Sequence, residues 1–251
     1  MYAYFRKMHS GELERRSEIR ETPYISEYLR LWEERRIRTP LLFLIGGYAG
    51  VGKSTLAQKI MNRIPHSNLV PSGILRADVQ ARNSKDEVPE LYKSTFDLHT
   101  LLSPTLPEEQ RADGVIELFK KQRDLVMGNF PTIATFAETE HQHLIFDGNH
   151  ISPTCTSCTI GGGVIPIEVY LMVTDPDTHY RMISGPTHNR PDLTMEQWKT
   201  ARTLHEFIVH EAEDAGKPVI EWNEAYPKTL HLVDSTLQQF LGQVHFPPTG
   251  E

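Results

Sequence analysis

The chain has little cysteine, no long apolar run and no excess of basic charge, and each shortage removes a class of protein. Only Cys155 and Cys158 occur among 251 residues, so no disulfide framework holds the fold. No apolar stretch approaches the ~20 residues that a membrane-spanning helix needs. The start, MYAYFRKMHSGELERR, lacks the apolar segment of a secretory leader. A cytoplasmic protein with no membrane partner is the expectation. The net charge of -7 disfavours nucleic acid as a partner. Internal repeats and low-complexity segments are missing too. The length suits one α/β domain with a full core.

What is present centres on residues 41 to 58, LLFLIGGYAGVGKSTLAQ. Five apolar residues run into a Gly-rich turn, and the turn runs into a helix-forming segment. Gly47, four residues, Gly52, Lys53 and Ser54 satisfy G-x-x-x-x-G-K-[ST], the P-loop pattern. A loop that wraps a polyphosphate must aim several backbone N–H groups inward, which calls for glycine. The following helix adds its unpaired N–H groups and the positive end of its dipole. Gly47, Ala49, Gly50, Val51, Gly52, Lys53, Ser54 and Thr55 are therefore the expected nucleotide-binding residues. Lys53 would reach the β- and γ-phosphates of ATP and Ser54 would ligate Mg²⁺.

The rest of the chain alternates strands and helices. Residues 1 to 39 carry 9 Lys and Arg against 7 Asp and Glu, whereas the remainder holds 17 against 26. Tyr24, Ile25, Tyr28, Leu29 and Trp32 recur at helical spacing, predicting a helix over 26–36. This arm reads either as a partner-binding or homodimerising element or, more simply, as a helix packed on the chain itself. From residue 40 onward, strands are expected at 41–45, 68–70, 143–147, 166–173 and 219–222. Helices are expected at 54–64, 74–81, 114–127, 132–140, 178–183, 194–215 and 229–244. Residues 82–113 are polar, hold three prolines and show weak periodicity. The pattern predicts an α/β protein of P-loop NTPase fold, a parallel five-stranded sheet flanked by helices, nucleoside-monophosphate-kinase-like and with a lid. The domain assignment is a helical arm at 1–39 and a kinase domain at 40–251. Within the latter, about 82–140 form an acceptor-binding helical insertion and about 181–193 the lid.

No N-K-x-D guanine-reading segment or ABC-type signature is present, which leaves a small phosphotransferase. Phosphoryl transfer needs in-line positioning, Mg²⁺ and positive charge closing over the transferred group. Asp147, in IFDGNH, ends a central strand where ligands bind in open α/β sheets. It reads as a Mg²⁺ anchor or general base, or else as a turn residue before Gly148. Arg181 and Arg190 flank a Pro/Gly-interrupted segment and read as lid cations or as surface residues in salt bridges. Arg202 lies inside a helix and reads equally as structural. Cys155-Thr-Ser-Cys158 is a lone C-x-x-C, without the second pair a zinc site would need. Gly161-Gly-Gly after it suggests a mobile loop near the acceptor.

These residues together resemble the 2-phosphoglycerate kinase family. IGGYAGVGKSTLA is similar to that family's I-G-G-x-S-G-V-G-K-S-T loop. Val88-Pro89-x-Leu91-x-x-Ser94-Thr95-Phe96 resembles its P-x-L-x-x-S-S-[FY], Phe119 and Gln122 its F-x-x-Q, and Phe146 to Pro153 its E-G-V-H-L-x-P. The likeness extends over about residues 41 to 225. Where the family has T-D-x-I-R, this chain has Ser72-Gly73-Ile74-Leu75-Arg76, keeping the Arg and lacking the acid. Asp147 stands for the family Glu, and Ala49 for a Ser. The resemblance implies an ATP-dependent, Mg²⁺-requiring kinase for a small hydroxylated, anionic metabolite, with Arg76, Ser94 and His150 on the acceptor side. Arg76 suits an anion because a guanidinium binds carboxylate or phosphate bidentately. If the missing acid was the base, Asp147 or Asp78 must replace it. A zeta-toxin-like or polynucleotide-end kinase and a non-enzymatic ATP-binding regulator are the competing expectations.

Overall fold

A computed structural model describes residues 22–153, 163–185 and 190–244. Strand β1 (Leu41–Gly46) is buried at every position because it has a parallel neighbour on both sides, β3 (Leu144–Gly148) and β4 (Ile165–Met172). A strand in a sheet covered on both faces has no polar side to show, which is why LLFLI carries no alternation. β2 (Asn68–Pro71) adds to β3 and β5 (Val219–Glu221) to β4. The result is the expected five-stranded, all-parallel sheet, in the order β2-β3-β1-β4-β5. In register Ile45 lies opposite Asp147 and Gly46 opposite Gly148. Strands whose paired residues are 102 apart in sequence thus end level, side by side.

Two compact units make up the chain, Thr39–Tyr226 and the two ends together, Met1–Arg38 with Pro227–Glu251. Helix α1 (Pro23–Glu33) belongs to the second. Its N-cap, Thr22, makes no side-chain cap. Asp234 supplies it instead, its Oδ1 accepting from the N–H groups of Tyr24 (2.8 Å) and Ile25 (2.9 Å). Asp234 sits in the last helix, α8 (Ala225–Gln243). A carboxylate at a helix N-terminus satisfies orphan donors and opposes the positive dipole end. Tyr28 meets Phe240 edge-on at 6.5 Å, and Ile25, Tyr28 and Leu31 are buried. Of the expected stripe Ile25 and Tyr28 are covered within the single chain, and Tyr24, Leu29 and Trp32 are half-buried. α8, placed with the kinase domain by the sequence, groups with the arm.

In the larger unit, α2 (Lys53–Arg63) follows β1, and α3 (Ser72–Arg82) follows β2 without a loop. The polar stretch after it holds two 3-10 helices, Pro89–Tyr92 and Thr95–Leu101, whose three-residue turns leave no 3.6-residue pattern to read. α4 (Glu108–Met127) starts six residues before the expected Gly114. Pro107 is its N-cap and Glu108 and Glu109 favour its first turn. Gly114 lies inside the helix, where a Cβ would meet the Leu102 side chain at 3.0 Å. α5 (Phe130–Thr139) precedes β3, and α6 (Pro176–Ser184) follows β4. α7 (Met195–Asp214) opens on a capping box formed by Thr194 and Gln197. Tyr48, Phe119, Phe146, Tyr170, Leu204 and Ile208 belong to the main core, between the sheet and α4 and α7. No described helix is long and apolar enough to cross a membrane.

Candidate active site

The P-loop joins β1 to α2 at the carboxyl end of the sheet. Gly50 has a φ of +79°, and a Cβ there would stand 2.6 Å from Cγ1 of Ile183. Both the turn and the neighbouring helix α6 therefore demand glycine. Lys53, the first residue of α2, is 9% exposed. Its Nζ donates to the Tyr48 carbonyl at 2.6 Å and to Oδ1 of Asn149 at 3.1 Å. Burial lowers its pKa from 10.5 to about 8, with nearby Asp147 acting in the opposite direction.

That shift has a signed consequence. The folded chain sheds the Lys53 proton earlier than the unfolded chain does, so this group's penalty on folding is present below pH 8 and fades between about 8 and 10.5. A polyphosphate beside the amine favours the charged form. ATP binding is therefore expected to take up protons near pH 8.5 and to weaken as pH rises further. Calorimetry in two buffers of different ionisation enthalpy measures this directly. Binding with no proton uptake at that pH would count against the assignment of Lys53 to the phosphates.

Across from the loop, Asp147 is the last residue but one of β3 and is 5% exposed. Its Oδ2 accepts from the Ser54 hydroxyl at 3.2 Å. Burial raises its pKa, and Lys53 and the Ser54 bond pull the other way. A carboxylate and a hydroxyl at this spacing form an oxygen-only donor set, the kind Mg²⁺ takes together with water and phosphate oxygens. The residues present fit that ion. Among the described residues no group of three or more His, Cys, Asp or Glu could hold a metal ion. Cys155 and Cys158, and Gly161 and Gly162 of the glycine run, lie outside the described residues.

The other expected site residues distribute as follows. Arg190 and Ser94 come together, the guanidinium NH2 donating to the Ser94 hydroxyl at 3.3 Å and lying 4.3 Å over the Phe96 ring. The hydroxyl of Tyr48, in the P-loop, donates to Thr95 Oγ1 at 3.2 Å, so the loop touches the same segment. Arg181 is held locally, donating to Thr178 Oγ1 at 2.9 Å on the surface of α6. Arg76 donates to the carbonyls of Leu91 (3.0 Å) and Lys93 (2.6 Å), bracing the first 3-10 helix. His150 is buried with both ring nitrogens engaged, Nδ1 by Ser72 Oγ (3.2 Å) and Nε2 by Oε1 of Gln122 (3.0 Å). The Gln122 amide N–H₂ donates to the Lys93 carbonyl at 3.0 Å, so its oxygen is the acceptor and His150 carries its proton on Nε2. Ser72 then donates to Nδ1. Burial and the cations Arg76, Lys53 and Arg123 lower the His150 pKa to about 3, which keeps it neutral. Gly148 is the neighbour this arrangement requires, since a Cβ there would fall 1.7 Å from Ser72 Oγ. Asp78, the alternative base, pairs with Arg82 on the exposed face of its own helix.

Sequence reasoning passed over three residues that the structure brings to the loop. Asn149 receives Lys53, and its place two residues after a strand-end acid was a usable signal. Tyr48 and His179 join the loop to distant segments, and nothing local marks them. A groove of about 1130 Å³ runs along α7 past Ile116, Val173, His205 and Glu211. It contains none of the P-loop residues, and chemistry rather than volume selects the site.

No protein-family profile matches the chain. Curated relatives do. A 2-phosphoglycerate kinase of Methanothermobacter thermautotrophicus is 26% identical over 208 residues, 80% of this chain and 67% of that protein. One from Methanococcus maripaludis is 26% identical over 238 residues, 90% of this chain and 76% of its own length. One from Methanopyrus kandleri is 27% identical over 230 residues, 89% of this chain and 68% of its own. With an all-parallel sheet, a P-loop and an acid level with it, and kinases as its relatives, the chain resembles the 2-phosphoglycerate kinases over most of its length and is a phosphotransferase.

Proposed function

We propose that the chain transfers the γ-phosphoryl group of ATP to a hydroxyl of a small anionic metabolite similar to 2-phosphoglycerate. The observation that carries this reading is the meeting of Lys53, Ser54 and Asp147 at one strand edge, with Ser54 and Asp147 3.2 Å apart. Backbone N–H groups of Gly47, Ala49, Gly50, Val51, Gly52 and Thr55 cradle the phosphates. Lys53 attracts the β- and γ-phosphates. Ser54 and Asp147 hold Mg²⁺, which when bound neutralises charge on the phosphate oxygens. Arg190, over Ser94 and Phe96, faces the acceptor anion, whereas Arg181 stays with Thr178 on the surface of α6. Arg76 and His150 act one step back in this reading, shaping the acceptor side through Leu91, Lys93, Ser72 and Gln122.

Label transfer from γ-radiolabelled ATP to a panel of phosphorylated and carboxylated alcohols, 2-phosphoglycerate among them, tests the proposal. Gly73, where the resembled family has Asp, favours one second reading, an ATP-binding regulator without transfer. ATP binding with no acceptor labelled would support that reading and overturn the first. A Cβ at Gly73 meets nothing within 4 Å, and the position lies in the first turn of α3. Gly73→Asp is therefore expected to stabilise the fold by about 1 kcal/mol, through lost chain freedom and the helix dipole. If the absent acid limits transfer, the same variant raises turnover of 2-phosphoglycerate. Denaturant titration and initial rates on one preparation report both.

A further inference from the structure

His179 is wholly buried on α6. Its Nε2 lies 2.8 Å from the Ala49 carbonyl in the P-loop, and its Nδ1 lies 3.3 Å from NH1 of Arg202. A guanidinium only donates and a carbonyl only accepts, so the tautomer is fixed with Nδ1 bare and the proton on Nε2. Arg202 is itself anchored, donating to the Val173 carbonyl at 3.2 Å and to Glu206 at 2.9 Å. The imidazole is wedged between His205 (ring centroids 4.6 Å apart) and Trp198 (5.6 Å). A chain of donors therefore runs from the end of β4 through Arg202 and His179 into the phosphate loop.

The chemistry of the peptide group shows what this chain does. In a trans peptide the carbonyl and the following N–H point in opposite directions. Ala49 C=O is held outward toward α6, so the N–H of Gly50 is held toward the other side, the concave side that a phosphate would occupy. Without that bond the Ala49–Gly50 peptide has freedom to rotate, because Gly50 tolerates many backbone angles. Preorganised donors act strongly because nothing has to reorient when charge arrives.

Resting on the ATP-dependent reading above, we propose that His179 is a positioning residue for nucleotide binding, aiming the Gly50 N–H at the phosphates by gripping the Ala49 carbonyl, with Arg202 setting its tautomer. It touches no substrate itself. The last turn of α6 also overlaps the start of the expected lid, about 181–193.

The test compares ATP dissociation constants and thermal midpoints without nucleotide for three full-length proteins. His179→Phe keeps the ring contacts and removes both hydrogen bonds; a weakening of ATP binding of about tenfold is expected. His179→Gln has an amide N–H₂ to reach Ala49 and an amide oxygen to receive Arg202, and binding within about threefold of the original is expected. Should the Phe variant fail to fold, His179→Asn replaces it, since its shorter amide does not span to Ala49, with the same expected weakening. Original affinity in the Phe or Asn variant overturns the proposal. So does an equal loss in the Gln and Phe variants that follows their thermal midpoints, which is the behaviour of a merely packed side chain. Failure of the unsubstituted protein to bind ATP overturns the function proposed above and this inference with it, an outcome separate from the other two.

Discussion

Lys53→Met is expected to lower phosphoryl transfer by at least ~10²–10³-fold, the scale of losing one fixed charge or donor aimed at a developing anion, while the fold survives. Both halves follow from the surroundings of the amine. Its charge is a burden to the folded chain, since burial is the largest influence on it and drives its pKa down to about 8. Methionine fills nearly the same volume without that burden. Against this stands the loss of two hydrogen bonds, to the Tyr48 carbonyl and to Asn149, each costing about 1–3 kcal/mol where the partner stays buried. The opposing effects are of similar size, so the denaturation midpoint should move little. The expected result is a folded protein that has lost turnover and the pH dependence of ATP affinity above pH 8. An unchanged kcat would falsify the phosphate role.

Asp147→Asn carries the second large effect, a fall in turnover of ~10²-fold or more. Asparagine keeps the shape of the side chain and an oxygen able to accept from Ser54, so packing at the end of β3 is preserved. Only the negative charge goes. Two further readouts separate its possible tasks. If Asp147 anchors Mg²⁺, the concentration of Mg²⁺ needed for half-maximal rate rises sharply. If it removes the acceptor proton, the Mg²⁺ requirement holds and kcat loses its acidic limb instead. Removing the carboxylate also withdraws the group that favours the charged form of Lys53, so that pKa should fall further. Turnover equal to the unsubstituted protein would place both tasks elsewhere.

The parts of this molecule that the sequence discloses are those whose physics is local. A buried strand must be apolar throughout, a phosphate loop must be glycine-rich, and a capping box needs Thr and Gln three residues apart, as at Thr194 and Gln197. Alternating segments then imply a parallel sheet. The less legible parts depend on contacts between remote residues. Arg76 reads as an anion binder because guanidinium suits anions, yet in the fold two carbonyls about 15 residues onward receive it. His150 stands on the acceptor side only through the family resemblance, whereas in the fold its partners Ser72 and Gln122 lie 78 and 28 residues away. The approach of Arg190 to Ser94 spans 96 residues, and nothing in either segment foretells it. The 3-10 turns between 89 and 101 were missed for a different reason, since their period is not one that an amphipathic pattern displays.

The capping of α1 by Asp234 makes the two extremities of the polypeptide interdependent. Removing residues through Tyr28 would leave Asp234 without the amides of Tyr24 and Ile25 and would expose the flank of α8 near Phe240. Shortening the chain at the back would fray α1 in turn. Removing either helix, Pro23–Glu33 or Ala225–Gln243, therefore acts on the same joint.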